Sequence, residues 1–332
     1  MKKIFYSILI FLLILLNFST VCADDVDNEV DFEDTIEVTA SNVSELPKTN
    51  SRRYIVYDRI SKSMIIGKNE DVKSAMASTT KIMTTIVILE KADLNEKVTV
   101  SAKAGGTGGS RLGLKRGDKT SVRDLLYGLM LRSGNDAAVA LAEHVGGSVK
   151  GFAELMNEKA IELGLTNTHF VTPHGLDDAN HYTTALELAK LTDYAMDNET
   201  FAKIVGTKST TIYINNQSRQ INNTNELLGV LNGVVGVKTG FTNNAGRCLV
   251  TETKRNNMDI ITIVLGADTK KDRTKDSVNL IEYTFSKYKM YNLEERIIEE
   301  FNKWKNINEK RILITKGKQN NPKLALGAIE KA

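Results

Sequence analysis

Two kinds of hydrophobic pattern divide the central part of this chain, and their order restricts the folds that it can adopt. Stretches typical of strands occur early and return late, whereas helical periodicity fills the middle. The strand patterns cover 54–57, 63–66, 209–214, 236–239, 248–253 and 260–265. The helical patterns cover 78–92, 122–131, 137–145, 149–163, 184–196 and 272–287. This order predicts an α+β fold: an antiparallel sheet with helices on its faces and a helical insertion.

The helix predicted over Ser78–Ala92 differs from the others because it has no polar face. Its apolar residues include Ile82, Met83, Ile86, Val87 and Leu89. They are spread around the helix rather than along one stripe, and a helix that is apolar on all sides is buried. We therefore expect this helix to lie at the centre of the fold.

The N-terminus has the pattern of a secretory signal peptide, which we place over residues 1–23. Lys2 and Lys3 precede an apolar run over 4–18, and small residues lead up to cleavage after Ala23. An uncleaved membrane anchor is the alternative, although the run is close to the lower limit for spanning a bilayer. Cleavage would leave Cys248 as the single cysteine, which excludes an intramolecular disulfide in the mature chain.

Charge is distributed unevenly along the 332 residues, which carry 44 Lys and Arg against 41 Asp and Glu. Nine acidic residues and no basic one lie between residues 24 and 46, so a disordered acidic linker is predicted over 24–48. The rest of the chain after residue 23 has 42 basic and 32 acidic residues. Such a basic body favours an anionic partner, phospholipid or cell-wall polymer. Nucleic acid is not an expected partner, because no motif for binding it occurs.

Three short polar motifs lie within the predicted main domain, residues 49–288. They are Ser78-Thr79-Thr80-Lys81, Ser133-Gly134-Asn135 and Lys238-Thr239-Gly240. Ser-x-x-Lys and Ser-x-Asn each recur elsewhere in the chain, so neither is specific alone. Only this set has the order and wide spacing of the active-site serine hydrolases that react with penicillin. The motifs fall at the start of the buried helix, between two helices and on a strand.

The residue types in these motifs suit nucleophilic catalysis. A serine hydroxyl needs a base, and Lys81 lies three residues after Ser78, on the same helical face. Burial, the nearby cation of Lys238 and the positive end of the helix dipole would lower the pKa of Lys81. Ser133 can relay a proton to the leaving amine, and the amide oxygen of Asn135 can hold Lys81 in place.

On these motifs the chain resembles the low-molecular-mass penicillin-binding proteins that are D-alanyl-D-alanine carboxypeptidases, serine peptidase family S11. The resemblance runs from about Tyr54 to Lys287 and includes the segments 168–185 and 244–250. It implies a β-lactamase/transpeptidase-like fold, peptidoglycan stem peptides ending in D-Ala-D-Ala as substrates and β-lactams as covalent inhibitors. No cofactor or metal is implied.

The same resemblance implies a role for each residue of the site. Ser78 would be the acylated nucleophile, Lys81 the base and Ser133 the relay. Lys238 would bind the terminal carboxylate of the substrate, with Asn135, Thr239, Gly240 and Phe241 completing the substrate-binding set. The backbone N–H groups of Ser78 and Phe241 would form the oxyanion hole. Arg273 is a candidate second ligand of the carboxylate.

Two alternative functions share these motifs. A class A β-lactamase would need a glutamate that activates the deacylating water, and Glu162-Leu163-Gly164 faintly imitates that element. The segment continues into a carboxypeptidase-like stretch, so we interpret it as a helix end. A non-catalytic β-lactam sensor would need a signalling partner with a second membrane span, and no second apolar segment of that length occurs.

Two further features remain open at this stage. His169, His174 and His181 have no metal-ligand spacing, which favours a structural role in a loop.

Residues 289–332 form a tail that is either an amphipathic helix or a truncated second domain. Its apolar stripe, which includes Leu293, Ile297, Ile298, Phe301 and Trp304, could touch a membrane from outside the cell. We expect an exported protein that acts in the cell wall or at the outer face of the cytoplasmic membrane.

Overall fold

The computed structural model describes residues 45–289 and 298–308. The predicted signal peptide and nearly all of the acidic linker lie outside the described residues. The chain divides into two compact units, Met1–Lys287 and Tyr288–Ala332.

A five-stranded antiparallel sheet organises the first unit. Its strands are β1 (Arg53–Asp58), β2 (Ser63–Lys68), β7 (Val234–Thr242), β8 (Gly246–Arg255) and β9 (Met258–Ala267). They lie in the order β2-β1-β9-β8-β7, so the first and last parts of the chain meet where β1 pairs with β9. Most residues of β8 and β9 are buried, because helices cover both faces of the sheet. The predicted α+β fold is confirmed.

Helices occupy the middle of the chain and its end. They are α1 (Lys81–Lys91), α2 (Ala102–Gly105), α3 (Val122–Leu131), α4 (Asn135–Gly146), α5 (Val149–Glu162), α6 (Ala185–Met196), α7 (Glu199–Val205) and α8 (Lys270–Lys287). Helix α1 contacts α3, α4, α5, α6 and α7, and its residues 81–88 are buried. The prediction of a buried central helix is confirmed. Helix α8 packs against β8 and β9 over a separate apolar cluster that includes Leu249, Val278 and Ile281.

A second sheet lies in the insertion and was not predicted as such. Its strands are β3 (Lys97–Thr99), β4 (Lys119–Ser121), β5 (Ser209–Ile214) and β6 (Gln217–Asn222), in that order. Only β5 shows the alternation of a strand in the sequence, because β3 and β4 have three residues each and β6 is almost wholly exposed. These strands are stabilised by pairing across the chain, which no local pattern encodes.

The described part of the second unit consists of residues 288–289 and a helix over residues 298–308. The large apolar side chains of this helix, Ile298, Phe301, Trp304 and Ile307, are all exposed. Leu293 and Ile297, which belong to the predicted stripe, lie outside the residues whose surroundings are described. Among the described residues of the chain, no helix has the length and apolar character needed to cross a membrane.

Candidate active site

A tight turn presents Ser78 at the N-terminus of the buried helix. Residues Ala77–Thr80 form a single 3₁₀ turn that continues into α1. Ala77 has a φ of 47°, the left-handed region that residues with a Cβ rarely adopt. Ser78 itself is only partly buried, whereas Ala77, Thr79 and Thr80 on either side of it are buried. The turn therefore exposes one hydroxyl and fixes its neighbours.

Lys81 lies beneath Ser78 in a fully buried position. Its Nζ is 2.7 Å from Ser78 Oγ, 2.8 Å from Asn135 Oδ1 and 2.9 Å from the backbone oxygen of His174. Burial lowers the pKa of Lys81 well below its usual value, and the nearby cation of Lys238 lowers it further, against a smaller opposite effect of Asp136. The site therefore contains a lysine that loses its proton far more readily than a lysine in water.

The Ser133 motif is a linker between two helices. Helix α3 ends at Leu131, and Ser133 adopts a φ of 58° before α4 begins at Asn135. Ser133 and Asn135 are both buried, and the side-chain amide of Asn135 also donates to Gly108 O at 2.8 Å. This second contact holds the amide with its oxygen towards Lys81.

Asp136 is a structural residue of the site that the sequence analysis missed. It is buried, and its carboxylate accepts hydrogen bonds from the backbone N–H groups of Leu112, Gly113, Leu114 and Ala137. An acidic residue in the first turn of a helix can be recognised in the sequence. Its hydrogen bonds to a loop more than twenty residues away cannot. Asp136 thus attaches the loop over 112–114 to the start of α4.

Strand β7 carries the third motif along the edge of the main sheet. Lys238 and Thr239 are each 1% exposed, and the Lys238 ammonium donates to Thr239 O at 2.9 Å. At Gly240 an added Cβ would lie 3.1 Å from the backbone N of Ser78 and 3.3 Å from that of Thr79. The strand can approach the serine turn this closely because residue 240 has no side chain.

The outer end of β7 is held by a neighbouring loop. Thr242 Oγ1 donates to Asp177 Oδ1 at 2.6 Å. The guanidinium of Arg247 stacks on the ring of Phe241, with 3.8 Å between Cζ and the ring centroid. The Thr242–Asp177 hydrogen bond therefore connects the strand to the loop that follows His174.

Arg273 lies on a different element from the three motifs. It is in the first turn of α8, is 1% exposed, and its Nη2 lies 3.4 Å from Glu226 Oε2. Thr224, two residues before Glu226, shares a 2.8 Å hydrogen bond with Thr239 Oγ1. A short chain of polar residues thus leads from the third motif towards Arg273, but the described contact of its guanidinium is with Glu226.

The three histidines of the loop have different surroundings. His174 and His181 are buried, which lowers their pKa values to about 3 and about 4. His169 is partly buried, its ring bonds to Asn180 O through Nδ1, and it lies beside the ring of Tyr182. Within the described ranges, no three His, Cys, Asp or Glu side chains are arranged to hold a metal ion.

Comparisons with known proteins place the chain in one family. The family model described as D-alanyl-D-alanine carboxypeptidase, peptidase S11, matches residues 39–269. The carboxypeptidase DacF of Bacillus subtilis is 35% identical over 271 residues, which cover 80% of this chain and 67% of DacF. The carboxypeptidase DacC of Escherichia coli is 38% identical over 270 residues, or 74% of this chain and 64% of DacC. The chain therefore spans about two thirds of the length of these curated relatives.

Similar solved structures include a DD-transpeptidase and a carboxypeptidase. The crystal structure of the Streptomyces K15 DD-transpeptidase superposes with a TM-score of 0.69 at 34% identity, and the match covers 73% of this chain and 99% of that one. The carboxypeptidase DacD of Francisella tularensis superposes with a TM-score of 0.68 at 31% identity, covering 73% and 72% of the two chains.

A partly exposed serine that touches a buried lysine, on this fold, defines a serine hydrolase. The chain belongs to the S11 peptidase family, the D-alanyl-D-alanine carboxypeptidases. The resemblance found in the sequence is thereby confirmed, and the alternatives of a class A β-lactamase and a sensor are not favoured.

Proposed function

We propose that this protein is a serine-type D-Ala-D-Ala carboxypeptidase that removes the terminal D-alanine from peptidoglycan pentapeptides through an acyl-enzyme at Ser78. The observation that carries the proposal is the 2.7 Å contact between Ser78 Oγ and the fully buried Nζ of Lys81. A serine hydroxyl this close to a lysine of lowered pKa has a general base within hydrogen-bond distance.

The contacts of Lys81 Nζ suit an ammonium, which donates to all three oxygens, and they also suit the neutral amine that its lowered pKa favours. A neutral amine has two N–H donors and one lone pair. Asn135 Oδ1 and the backbone oxygen of His174 can only accept, so they take the two N–H groups. The lone pair is left for the hydroxyl proton of Ser78, which is the arrangement that a general base requires.

The reaction follows from this arrangement. Ser78 Oγ forms a bond to the carbonyl carbon of the penultimate D-alanine while its proton moves to Lys81 Nζ. The C–N bond then breaks as its nitrogen receives that proton from Lys81, which we assign to pass through Ser133, and D-alanine leaves. Water then attacks the ester carbon while Lys81 Nζ accepts its proton, the bond to Ser78 Oγ breaks, and Oγ takes that proton back, which frees the shortened peptide.

Strand β7 and the serine turn would bind the substrate. Lys238 and Thr239 would hold the terminal carboxylate, and the N–H groups of Ser78 and Phe241 would bind the oxyanion. Arg273, whose Nη2 contacts Glu226, would serve as the second carboxylate ligand.

The central experiment mixes the protein with a diacyl-D-Ala-D-Ala tripeptide and follows D-alanine release. We expect release by the wild-type protein, competition by benzylpenicillin, and labelling of Ser78 by a fluorescent penicillin. Ser78→Ala should lose both reactions while remaining folded. Ser286→Ala is the matched control, because Ser286 belongs to the second Ser-x-x-Lys of the sequence and is exposed. Labelling of Ser78→Ala at the wild-type rate would reject the proposal.

We further propose that the protein works outside the cytoplasm, with its tail in contact with the membrane surface. The signal-like residues 1–23 support export. On the helix over 298–308, the exposed Phe301 and Trp304 stack with 5.9 Å between ring centroids. Lys305 and Lys303, which pairs with Glu300, lie beside them. Exposed aromatic residues beside lysines are typical of helices that lie on anionic membranes.

Sedimentation with phosphatidylglycerol vesicles tests the membrane contact. The double variant Phe301→Ser/Trp304→Ser should bind fewer vesicles than the wild-type protein. Ile161→Ser, which changes an exposed apolar residue on α5, should bind like the wild type. Equal binding by all three proteins would exclude the tail as the contact.

A further inference from the structure

Thr80 joins the loop that contains His181 to the residue that precedes the nucleophile. Its hydroxyl donates to the backbone oxygen of Ala77 at 2.8 Å and lies 2.7 Å from His181 Nε2. All three residues are buried. Their contacts form one continuous chain from His181 through Thr80 to Ala77.

The direction of the hydrogen bonds in this chain follows from the other ring nitrogen of His181. Nδ1 accepts from the backbone N–H of Val171 at 3.0 Å, with Thr172 N–H further away at 3.4 Å. A neutral imidazole has one donor and one acceptor, and burial keeps this ring neutral because it lowers the pKa of His181 to about 4. Nε2 therefore carries the proton and donates to Thr80 Oγ1, and the Thr80 proton is directed to Ala77 O.

The carbonyl of Ala77 and the N–H of Ser78 belong to the same peptide group. Because that group is planar and trans, the two bonds point in opposite directions. A hydrogen bond that fixes the carbonyl on one side therefore fixes the N–H on the other. The backbone N of Ser78 is the atom that lies opposite Gly240 of β7.

We infer that His181 and Thr80 are positioning residues that aim the backbone N–H of Ser78 at the oxyanion formed during acylation. The inference rests on the proposed function of Ser78 and assigns the two residues a part in the rate of acylation. His181 acts through Thr80, and neither residue needs to touch the substrate.

Two further observations support a part in orientation. Ala77 is held at a φ of 47°, a conformation that costs free energy and needs surrounding contacts to persist. Next to the same hydrogen bond, an added Cβ at Gly175 would lie 1.9 Å from Ala77 O and 2.6 Å from Thr80 Oγ1. The loop after His174 thus packs directly against this carbonyl and leaves it little freedom to rotate.

The test compares Thr80→Val, which keeps the shape but removes the hydroxyl, with Thr80→Ser, which keeps it. At the histidine, His181→Leu removes the donor, whereas the amide nitrogen of His181→Gln can occupy the place of Nε2. Thr192→Val is the matched control, because Thr192 is an equally buried helical threonine whose hydroxyl donates to a backbone oxygen, that of Leu188 at 2.7 Å. Each variant is measured for its acylation rate with benzylpenicillin and for the KM and kcat of tripeptide cleavage.

A readout specific to the oxyanion is the rate ratio between an ester substrate and the corresponding thionoester. Sulfur accepts hydrogen bonds weakly, so a well-aimed N–H favours the oxygen ester, and a misdirected one does not. We expect Thr80→Val and His181→Leu to be acylated roughly 10- to 100-fold more slowly, with kcat reduced more than KM is raised. Their ester-to-thionoester rate ratio should also be smaller than that of the wild type. Thr80→Ser, His181→Gln and Thr192→Val should stay close to the wild type.

Two results would overturn the inference while leaving the proposed function intact. One is acylation of both Thr80→Val and His181→Leu within twofold of the wild-type rate. The other is slower acylation with an unchanged ester-to-thionoester ratio, which would show that the contacts only stabilise the loop. If Thr80→Val does not fold, the histidine pair decides alone. A wild-type protein that forms no adduct at Ser78 would instead reject the proposed function, and this inference with it.

Discussion

At the scale of single residues, the proposed mechanism depends on the protonation of Lys81. The lysine is a base only when it is neutral, so activity should fall as the pH falls through its lowered pKa. The neighbouring cation of Lys238 contributes to that lowering. Its removal should therefore raise the pKa of Lys81 and move the acid limb of the pH–rate profile to higher pH.

Lys238→Gln tests this coupling by the position of the acid limb rather than by the rate. Acylation by benzylpenicillin is followed across the pH range for the wild type and the variant. Lys254→Gln, which removes a half-exposed lysine at the far end of β8, is the charge-matched control. An acid limb that stays in place or moves to lower pH would show that Lys238 does not act on Lys81.

The fate of the penicilloyl ester depends on whether a second base reaches it. Glu162, the glutamate that could imitate a β-lactamase base, is 62% exposed and pairs with Lys159, which also pairs with Glu90. Glu90 is near the far end of α1, about 14 Å along the helix axis from Lys81. Glu162 is therefore remote from Ser78.

We accordingly expect benzylpenicillin to form an adduct at Ser78 that lasts minutes or longer and blocks D-alanine release. Intact-mass spectrometry after mixing measures its lifetime, and Glu162→Gln should not change it. Catalytic consumption of penicillin with no lasting adduct would contradict this expectation, and would favour a β-lactamase.

At the scale of elements, the site depends on how closely β7 approaches the serine turn. Gly240→Ala would place a Cβ 3.1 Å from the backbone N of Ser78, closer than backbone atoms normally allow. We expect the strand and the turn to separate by a few tenths of an ångström. Acylation should then slow by at least about 10-fold, because misplacing an oxyanion donor costs one to three orders of magnitude.

Gly108→Ala is the matched control, because an added Cβ there meets no atom within 4 Å and the backbone oxygen that accepts from Asn135 is kept. Circular dichroism and thermal unfolding should show both variants folded. If Gly240→Ala is acylated at the rate of Gly108→Ala, the close approach of β7 is not needed for catalysis.

At the scale of the whole molecule, a buried ionic network joins α6 to the main sheet. Arg59 is 8% exposed, and its guanidinium contacts Asp193 and Asp197 near the end of α6 and Glu252 and Asp259 on β8 and β9. Burial and the neighbouring Asp259 raise the pKa of Glu252. The arginine thus compensates a carboxylate that has no access to water.

Arg59→Met should lower the free energy of unfolding by about 3–5 kcal/mol at neutral pH, since it leaves buried carboxylates without their cation. In the variant, the pKa of Glu252 should rise further. A folded-state pKa above the unfolded value gives stability that is present at low pH and lost as the pH rises through the folded pKa. The difference in the free energy of unfolding between the wild type and the variant should therefore shrink on going from pH 7 to pH 5.

Urea unfolding at both pH values measures this difference, with Arg52→Met as the control because the Arg52–Asp268 pair is exposed. A loss below about 1 kcal/mol, the size expected for an exposed pair, or one that grows towards acid pH, would show that Arg59 does not compensate Glu252.

The sequence alone determined the helices that show local periodicity and the residues that belong to short fixed motifs. Helical periodicity placed α1, α3, α5 and α6 within a few residues of their observed bounds, and the apolar surface of α1 predicted its burial. The three motifs, with their order and spacing, were enough to identify the family, and they predict Ser78, Lys81 and Lys238 as site residues.

Tertiary structure decided what depends on distant parts of the chain coming together. The short strands β3 and β4 exist only through pairing, and Asp136 has its role only because the loop over 112–114 folds over it. His181 was predicted to be a structural residue of a loop, yet its contact with Thr80 lies 101 residues away in sequence. Local periodicity and motifs record only near neighbours along the chain, whereas hydrogen bonds and burial depend on distances in space. The direction of the Ser78 N–H is therefore set by the fold, and the identity of Ser78 by the sequence.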